Sequence, residues 1–245
     1  MLIIAGLGLG DEKDITIREL ELAKASDACF IELYTSKWFG TTKSLENILN
    51  RKISILNRSD LEENMQNILD LAKNKNVFIF VPGDPLLATT HINLIFEAKK
   101  KEIKTLILHN SSIFSAIGES GLHIYKFGKC ATVPFSGQLN YVRDTVAKNK
   151  EIDAHTLILL DVDYENKRYM DVKTAIKMLL DEKILDKSEK IVIMSKLGNE
   201  DKKIAFGAAE AISKHFSKDD VPAVIIIPSK LHFSEKEYLA EFEVR

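Results

Sequence analysis

The chain has 245 residues, of which 45% are hydrophobic and 29% charged, and a formal net charge of −2. This is ordinary globular composition, which excludes an extended disordered chain, and the near-neutral balance supplies no global electrostatic reason to bind nucleic acid. The two cysteines, Cys29 and Cys130, lie in separate apolar runs and make neither a disulfide framework nor a zinc site. No segment approaches the roughly 18 consecutive apolar residues of a membrane helix. The opening Leu2–Ala5 run is too short, and lacks the preceding basic region, to read as a signal peptide. A soluble, cytoplasmic protein with free thiols is expected, with no membrane and no nucleic-acid partner.

In chain order, Leu2–Ala5 reads as a buried strand ending at a glycine cluster. Asp14 is positioned to cap a helix over 15–25, and Ala28–Tyr34 is the next strand. A short edge strand is expected at Ile53–Leu56, a helix over Leu61–Lys73, and a strand at Val77–Val81 (VFIFV), whose unbroken apolar run suits burial on both faces of a parallel sheet. A helix over Thr90–Lys101 and a strand at Thr105–Leu108 follow. Strands separated by helices imply right-handed crossovers. Beyond a short helix at Ser112–Ser120 the alternation loosens. Strands are expected at Ala131–Val133, Thr156–Leu160, Ile191–Ser195, Lys203–Phe206, Ala223–Ile227 and Tyr238–Val244, with helices at Asp171–Leu180 and Ala208–His215. The fold class is therefore α/β with two domains. Residues 1–110 form a mostly parallel, doubly wound sheet and residues 111–245 a mixed sheet.

Three segments lie at strand ends, where open parallel sheets bind ligands. The first, Gly6-Leu7-Gly8-Leu9-Gly10, directly follows the first strand. It is a partial dinucleotide fingerprint, because the third glycine would stand where Asp11 is, although Glu32 lies at about the twenty-residue distance of a ribose-binding acid. The second, Pro82-Gly83-Asp84-Pro85, follows the most apolar strand and should be stiff, framed as it is by two prolines. The third, His109-Asn110-Ser111-Ser112-Ile113, joins a strand to a helix and turns backbone N–H groups and hydroxyls toward the same edge. The histidines at 91, 109, 123, 155, 215 and 232 are scattered without ligand spacing, so no metal is expected. No nucleophile–base–orienter set is present and no catalytic residue is assigned. The pattern favours a reaction whose cosubstrate carries the activation.

Taken together, "GLGLGDEKDIT", "PGDPLLATTH" and "GLHIYKFGK", with "IPSKLHFSEKEYL" near the C-terminus, resemble the diphthine synthase branch of the tetrapyrrole methylase-like (class III) methyltransferases. The first two motifs mark the superfamily, and "ATTHINL" followed by "GLHIYKFGK" marks the branch. The resemblance covers nearly the whole chain. It implies two α/β domains with S-adenosylmethionine in the cleft between them, and a homodimer. It also implies, as acceptor, the 3-amino-3-carboxypropyl arm on a histidine of translation elongation factor two, methylated successively to diphthine. Carried over by motif, the cofactor-contact set is Leu9, Asp84, Leu87, Ser112, Ile113, Leu160, Leu197 and Ala223. Asp84 is the sharpest candidate for orienting the cosubstrate. Gly10 and Ala223 depart from residues usual in such relatives, and the segment from Phe135 to Lys150 is short beside them.

Overall fold

The structure, a computed structural model, describes residues 1–244. The chain divides into two compact units, Met1–Ser115 and Ala116–Arg245. Among the described residues no helix is long and apolar enough to cross a membrane.

In the first unit, β1 (Leu2–Gly6) leads to α1 (Ile17–Ala25), β2 (Ala28–Glu32), α2 (Thr42–Leu49) and β3 (Ser54–Leu56). Then come α3 (Arg58–Glu62), α4 (Gln66–Asn74), β4 (Val77–Val81), α5 (Ile92–Lys100) and β5 (Thr105–Leu108). The five strands lie in the order β3-β2-β4-β1-β5, and every pairing is parallel. β1 and β4 are wholly buried, as the apolar runs Leu2–Ala5 and Val77–Val81 require. Ile3, Ala5 and Leu7 share one face with Phe78 and Phe80, packed against Leu45 and Leu49 of α2.

The helix starts show which polar residues do local work. Thr16, not Asp14, caps α1. Its hydroxyl accepts from Glu19 N–H (3.2 Å), while the Glu19 carboxylate accepts from Thr16 N–H (2.6 Å). Asp14 instead ends a short 3₁₀ turn and folds back to the glycine loop. The helix expected over 61–73 is two, α3 and α4, separated at 63–65.

The helix α6 (Ile113–Ala116) carries the chain into the second unit. There β6 (Ala131–Val133), α7 (Asn140–Glu151), β7 (Thr156–Leu160), β8 (Val162–Asp163), β9 (Arg168–Tyr169) and α8 (Val172–Asp181) follow. They are succeeded by β10 (Lys190–Ser195), β11 (Lys203–Ala208), α9 (Ala209–Ile212), β12 (Ala223–Ile227) and α10 (Phe233–Ala240). The main sheet has the order β11-β10-β12-β7-β6. It is mixed: β6–β7 is parallel and the other pairs antiparallel. One face packs Ile158, Ile191, Ile193, Ile225 and Ile227 against α7 and α8.

α2, α7 and the β8–β9 pair are not among the elements expected from sequence, and the last expected strand does not form. α7 was not expected because its inward stripe is half polar: Val142 and Val146 alternate with Thr145 and Asn149, all buried. Asn149 accepts from Lys129 N–H (3.0 Å) and donates to Lys129 O (2.7 Å) and to the Thr156 hydroxyl (2.9 Å), so its burial is compensated. The strand expected at Tyr238–Val244 is instead the end of α10 and a turn. Only Glu243 keeps a strand-like bridge, to Phe206.

What starts α10 is the buried carboxylate of Glu235. It accepts from His232 N–H (2.7 Å), His123 N–H (2.8 Å) and Lys126 Nζ (2.8 Å), and lies 3.0 Å from His155 Nε2. This joins "GLHIYKFGK" to "IPSKLHFSEKEYL", two segments far apart in sequence. Burial alone would raise the Glu235 carboxyl. The Lys126 ammonium, the two N–H groups and His155 together outweigh that and hold it at about 2, against an ordinary 4.5. A depressed carboxyl adds stability that is complete above its unfolded pKa and is lost as pH falls toward the folded one. Stability measured by urea unfolding should therefore fall between about pH 4.5 and pH 2, and Glu235→Gln should flatten that dependence while lowering stability at pH 7. An identical acid slope in the variant would refute this account of the cluster.

Candidate functional site

The sheet order of the first unit selects one edge as the place for a ligand. From β1 the chain crosses to β2 on one side, and from adjacent β4 it crosses to β5 on the other. Where neighbouring parallel strands send their connections in opposite directions, a crevice opens outside their carboxyl ends. The loops leaving β1 and β4 there are Leu7–Gly10 and Pro82–Pro85.

These two loops are bonded backbone to backbone. Gly8 N–H donates to Gly83 O (3.2 Å) and Gly83 N–H donates to Gly8 O (2.9 Å). Both glycines have positive φ, 74° and 68°, the region that side chains resist. Gly6 is required for a different reason: a Cβ there would lie 2.3 Å from Gly83 O. The third loop joins them through Asn110, whose Nδ2 donates to Gly6 O (3.0 Å) and Asp14 O (3.1 Å). Asp14 Oδ2 in turn accepts from Gly10 N–H (2.7 Å).

Asp84 is buried and held from both oxygens. Oδ1 accepts from Leu86 N–H (3.0 Å), and Oδ2 lies 2.7 Å from Nδ1 of His109. That nitrogen is therefore the donor, because an ionised carboxylate only accepts. The outer face of the imidazole is exposed. Behind the loop, His91 Nδ1 is 3.2 Å from Pro85 O and Nε2 is 3.4 Å from the Tyr34 hydroxyl. A carbonyl can only accept, so Nδ1 carries the proton and Tyr34 donates to Nε2. Burial depresses His91 to about 4, which keeps it neutral in this arrangement at pH 7.

Glu32 is not a ribose ligand. It is fully buried and accepts from Tyr34 N–H (2.9 Å), Thr35 N–H (3.2 Å) and the Thr35 hydroxyl (2.5 Å). Burial raises its carboxyl to about 7 despite these bonds. Its place about twenty residues after the glycine loop serves a turn at the end of β2, and the dinucleotide reading loses its acid.

The structure collects five of the eight expected site residues at this edge. Leu9 is half-buried on the first loop, Asp84 is buried, and Leu87 is exposed in the turn after it. Ser112 and Ile113 stand on the third loop and the start of α6. In the second unit, Leu160 ends β7 and Ala223 begins β12 on the neighbouring strand, while buried Leu197 follows β10. His109, Asn110 and His91 were not singled out for these roles, since nothing in sequence spacing announces a side chain that holds another loop.

The edge has the character of a binding cradle. The Ser112 hydroxyl is buried and has no hydrogen-bond partner, a condition that folded proteins seldom leave without a ligand or water. Beside it, a Cβ placed on Gly83 would meet nothing closer than 3.9 Å, so backbone there leaves room for a ligand group. A buried hydroxyl beside bare glycine backbone suits a polar ligand group. Among the described residues, no three His, Cys, Asp or Glu side chains gather as a metal site.

Comparison with known proteins agrees with this geometry. Residues 1–213 match the family of tetrapyrrole (corrin/porphyrin) methylases. A diphthine synthase of Methanocaldococcus jannaschii is 38% identical over 252 residues, covering 98% of this chain and 97% of that protein. The chain belongs to the diphthine synthase family. A diphthine synthase of Archaeoglobus fulgidus is 37% identical, with 99% of this chain and 95% of that protein covered. A crystal structure of a diphthine synthase superposes with a TM-score of 0.92 at 36% identity, covering 99% of this chain and 96% of that one. The α/β fold, with its parallel and its mixed sheet, is thus that of a diphthine synthase.

The close approach of Gly6 to Gly83 gives a direct test. Gly6→Ala should cost about 1–3 kcal/mol in urea unfolding, the usual penalty for overpacking. Gly118→Ala, where an added Cβ meets nothing within 4 Å, should change stability little. Equal effects of the two substitutions would show that the loop pairing is not close-packed.

Proposed function

We propose that the chain is an S-adenosylmethionine-dependent methyltransferase that methylates the amino group of the 3-amino-3-carboxypropyl-histidine intermediate on translation elongation factor two, forming diphthine. What supports the reading is that "GLGLG", "PGDP" and "HNSS", widely separated in the chain, meet at one strand edge in a protein similar over its whole length to diphthine synthases. A cytoplasmic homodimer with this protein substrate is the setting the reading implies.

S-adenosylmethionine would supply a methyl group on a sulfonium that is already a good leaving group. The chain's own task is then to bind, orient and desolvate. Leu9, Asp84, Leu87, Ser112 and Ile113 would hold the donor from the first unit, with the Ser112 hydroxyl gaining the partner it lacks in the fold. Leu160, Leu197 and Ala223 would contribute apolar contacts from the second. Asp84 acts through position: tied to Leu86 N–H and His109, it presents its remaining lone pairs in a fixed direction. The acceptor amine must be neutral to attack, and removal from water favours the neutral form.

The deciding experiment incubates the protein with S-adenosylmethionine and elongation factor two carrying the unmethylated intermediate, then measures the factor's mass. Stepwise gains of one methyl each are expected, and their number gives the count of transfers. No gain, with methylation of a porphyrinoid instead, would move the activity to the tetrapyrrole substrates of the wider family. In parallel, Asp84→Ala should weaken S-adenosylmethionine binding by about tenfold or more, equivalent to about 1.4 kcal/mol, with the fold intact. Unchanged affinity by calorimetry would remove Asp84 from the binding site.

A further inference from the structure

We propose that Ser195, the last residue of β10, is a further binding residue for the methyl donor, and that its hydroxyl reads the edge of the donor's aromatic base. The inference rests on the methyltransferase reading above and adds a polar contact to a part of the second unit where that reading has only apolar ones.

Ser195 is 1% exposed, and its hydroxyl has no hydrogen-bond partner. Folded proteins seldom leave such a group unsatisfied, so the position calls for an explanation. Ile191 and Ile193 face the core beneath α7 and α8, and side chains alternate along a strand, so Ser195 projects from that same face. Directly across the ladder from Ser195 is Ala223. The pairing of Val224 with Leu159 sets Ala223 opposite Leu160 one step further on. Ser195, Ala223 and Leu160 therefore form a cross-strand row on one face, the next row along from Ile193, Ile225 and Ile158; Ala223 belongs to the edge of the same buried cluster and Leu160 packs against it. Leu197 is buried just after the row, past Lys196, which turns the chain at a φ of 52°.

Ala223, Leu160 and Leu197 are the residues already inferred for the donor in this unit. All are apolar, and Ser195 is the polar member beside them. The donor has a charged amino-acid end, a hydroxylated sugar and a planar base. An apolar row with a single hydroxyl suits the base, whose faces are apolar and whose edge carries ring nitrogens and an amino group. Bound this way, the hydroxyl acquires the partner it lacks and the strand end gains a specificity contact.

The test is calorimetry of Ser195→Ala against wild type, with S-adenosylmethionine and with 5′-methylthioadenosine, which keeps the base and lacks the amino-acid end. Loss of one hydrogen bond to a neutral group should weaken both ligands by about threefold to tenfold. Thermal unfolding of the ligand-free variant should match or exceed wild type, because the substitution removes an unsatisfied polar group. Equal affinities in variant and wild type overturn the proposal. A clear loss of ligand-free stability also overturns it, by showing that the hydroxyl already serves the fold. Weakened S-adenosylmethionine with unchanged 5′-methylthioadenosine removes the base from the assignment. Failure of the wild type itself to bind S-adenosylmethionine refutes the methyltransferase reading instead.

Discussion

The reciprocal backbone pairing of Gly8 and Gly83 is the constraint around which the first unit's ligand edge is organised. It joins the loops leaving β1 and β4 at the point where their connections part. Two residues in the left-handed region and a bare Cα at Gly6 are needed to bring those backbones together. Once they are joined, Asn110 can bond both Gly6 O and Asp14 O, and Asp14 can close on Gly10. The glycines serve first to let one loop approach another, and the room they leave for a ligand follows from that approach.

Further polar groups hold this edge in place. His91, neutral and buried, ties the Pro85 carbonyl to Tyr34, while His109 takes one oxygen of Asp84. These contacts limit the freedom of the Pro82–Pro85 loop beyond what its prolines do. Such preorganisation is what a methyl transfer asks of a protein when the reagent carries its own leaving group.

The second unit depends on a comparable device, the buried Glu235 carboxylate. It gathers Lys126, His155 and two backbone N–H groups, and so starts α10 and secures the loop before β6. The match to the wider methylase family stops at residue 213, before α10 begins. The diphthine synthase relatives span nearly the full chain. The Glu235 cluster thus binds a segment beyond the general methylase match to the "GLHIYKFGK" segment.

The alternation of apolar runs with amphipathic stretches determined the parallel α/β half, because strands buried on both faces cannot tolerate polar residues and Val77–Val81 has none. Sequence also marked the glycine and proline loops and the end of β7, since these are local matters of φ and turn chemistry. Tertiary structure decided what depends on distant partners. α7 buries Thr145 and Asn149, and Asn149 can face inward because Lys129 and Thr156 satisfy it. The Tyr238–Leu239 start of an expected strand became helix because Glu235 found its partners more than a hundred residues away in the chain. Glu32, at the distance from the glycine loop that suits a ribose ligand, was claimed instead by the turn beside it. A side chain's local pattern records what it could do, and the hydrogen-bond partners that only the folded chain supplies select what it does.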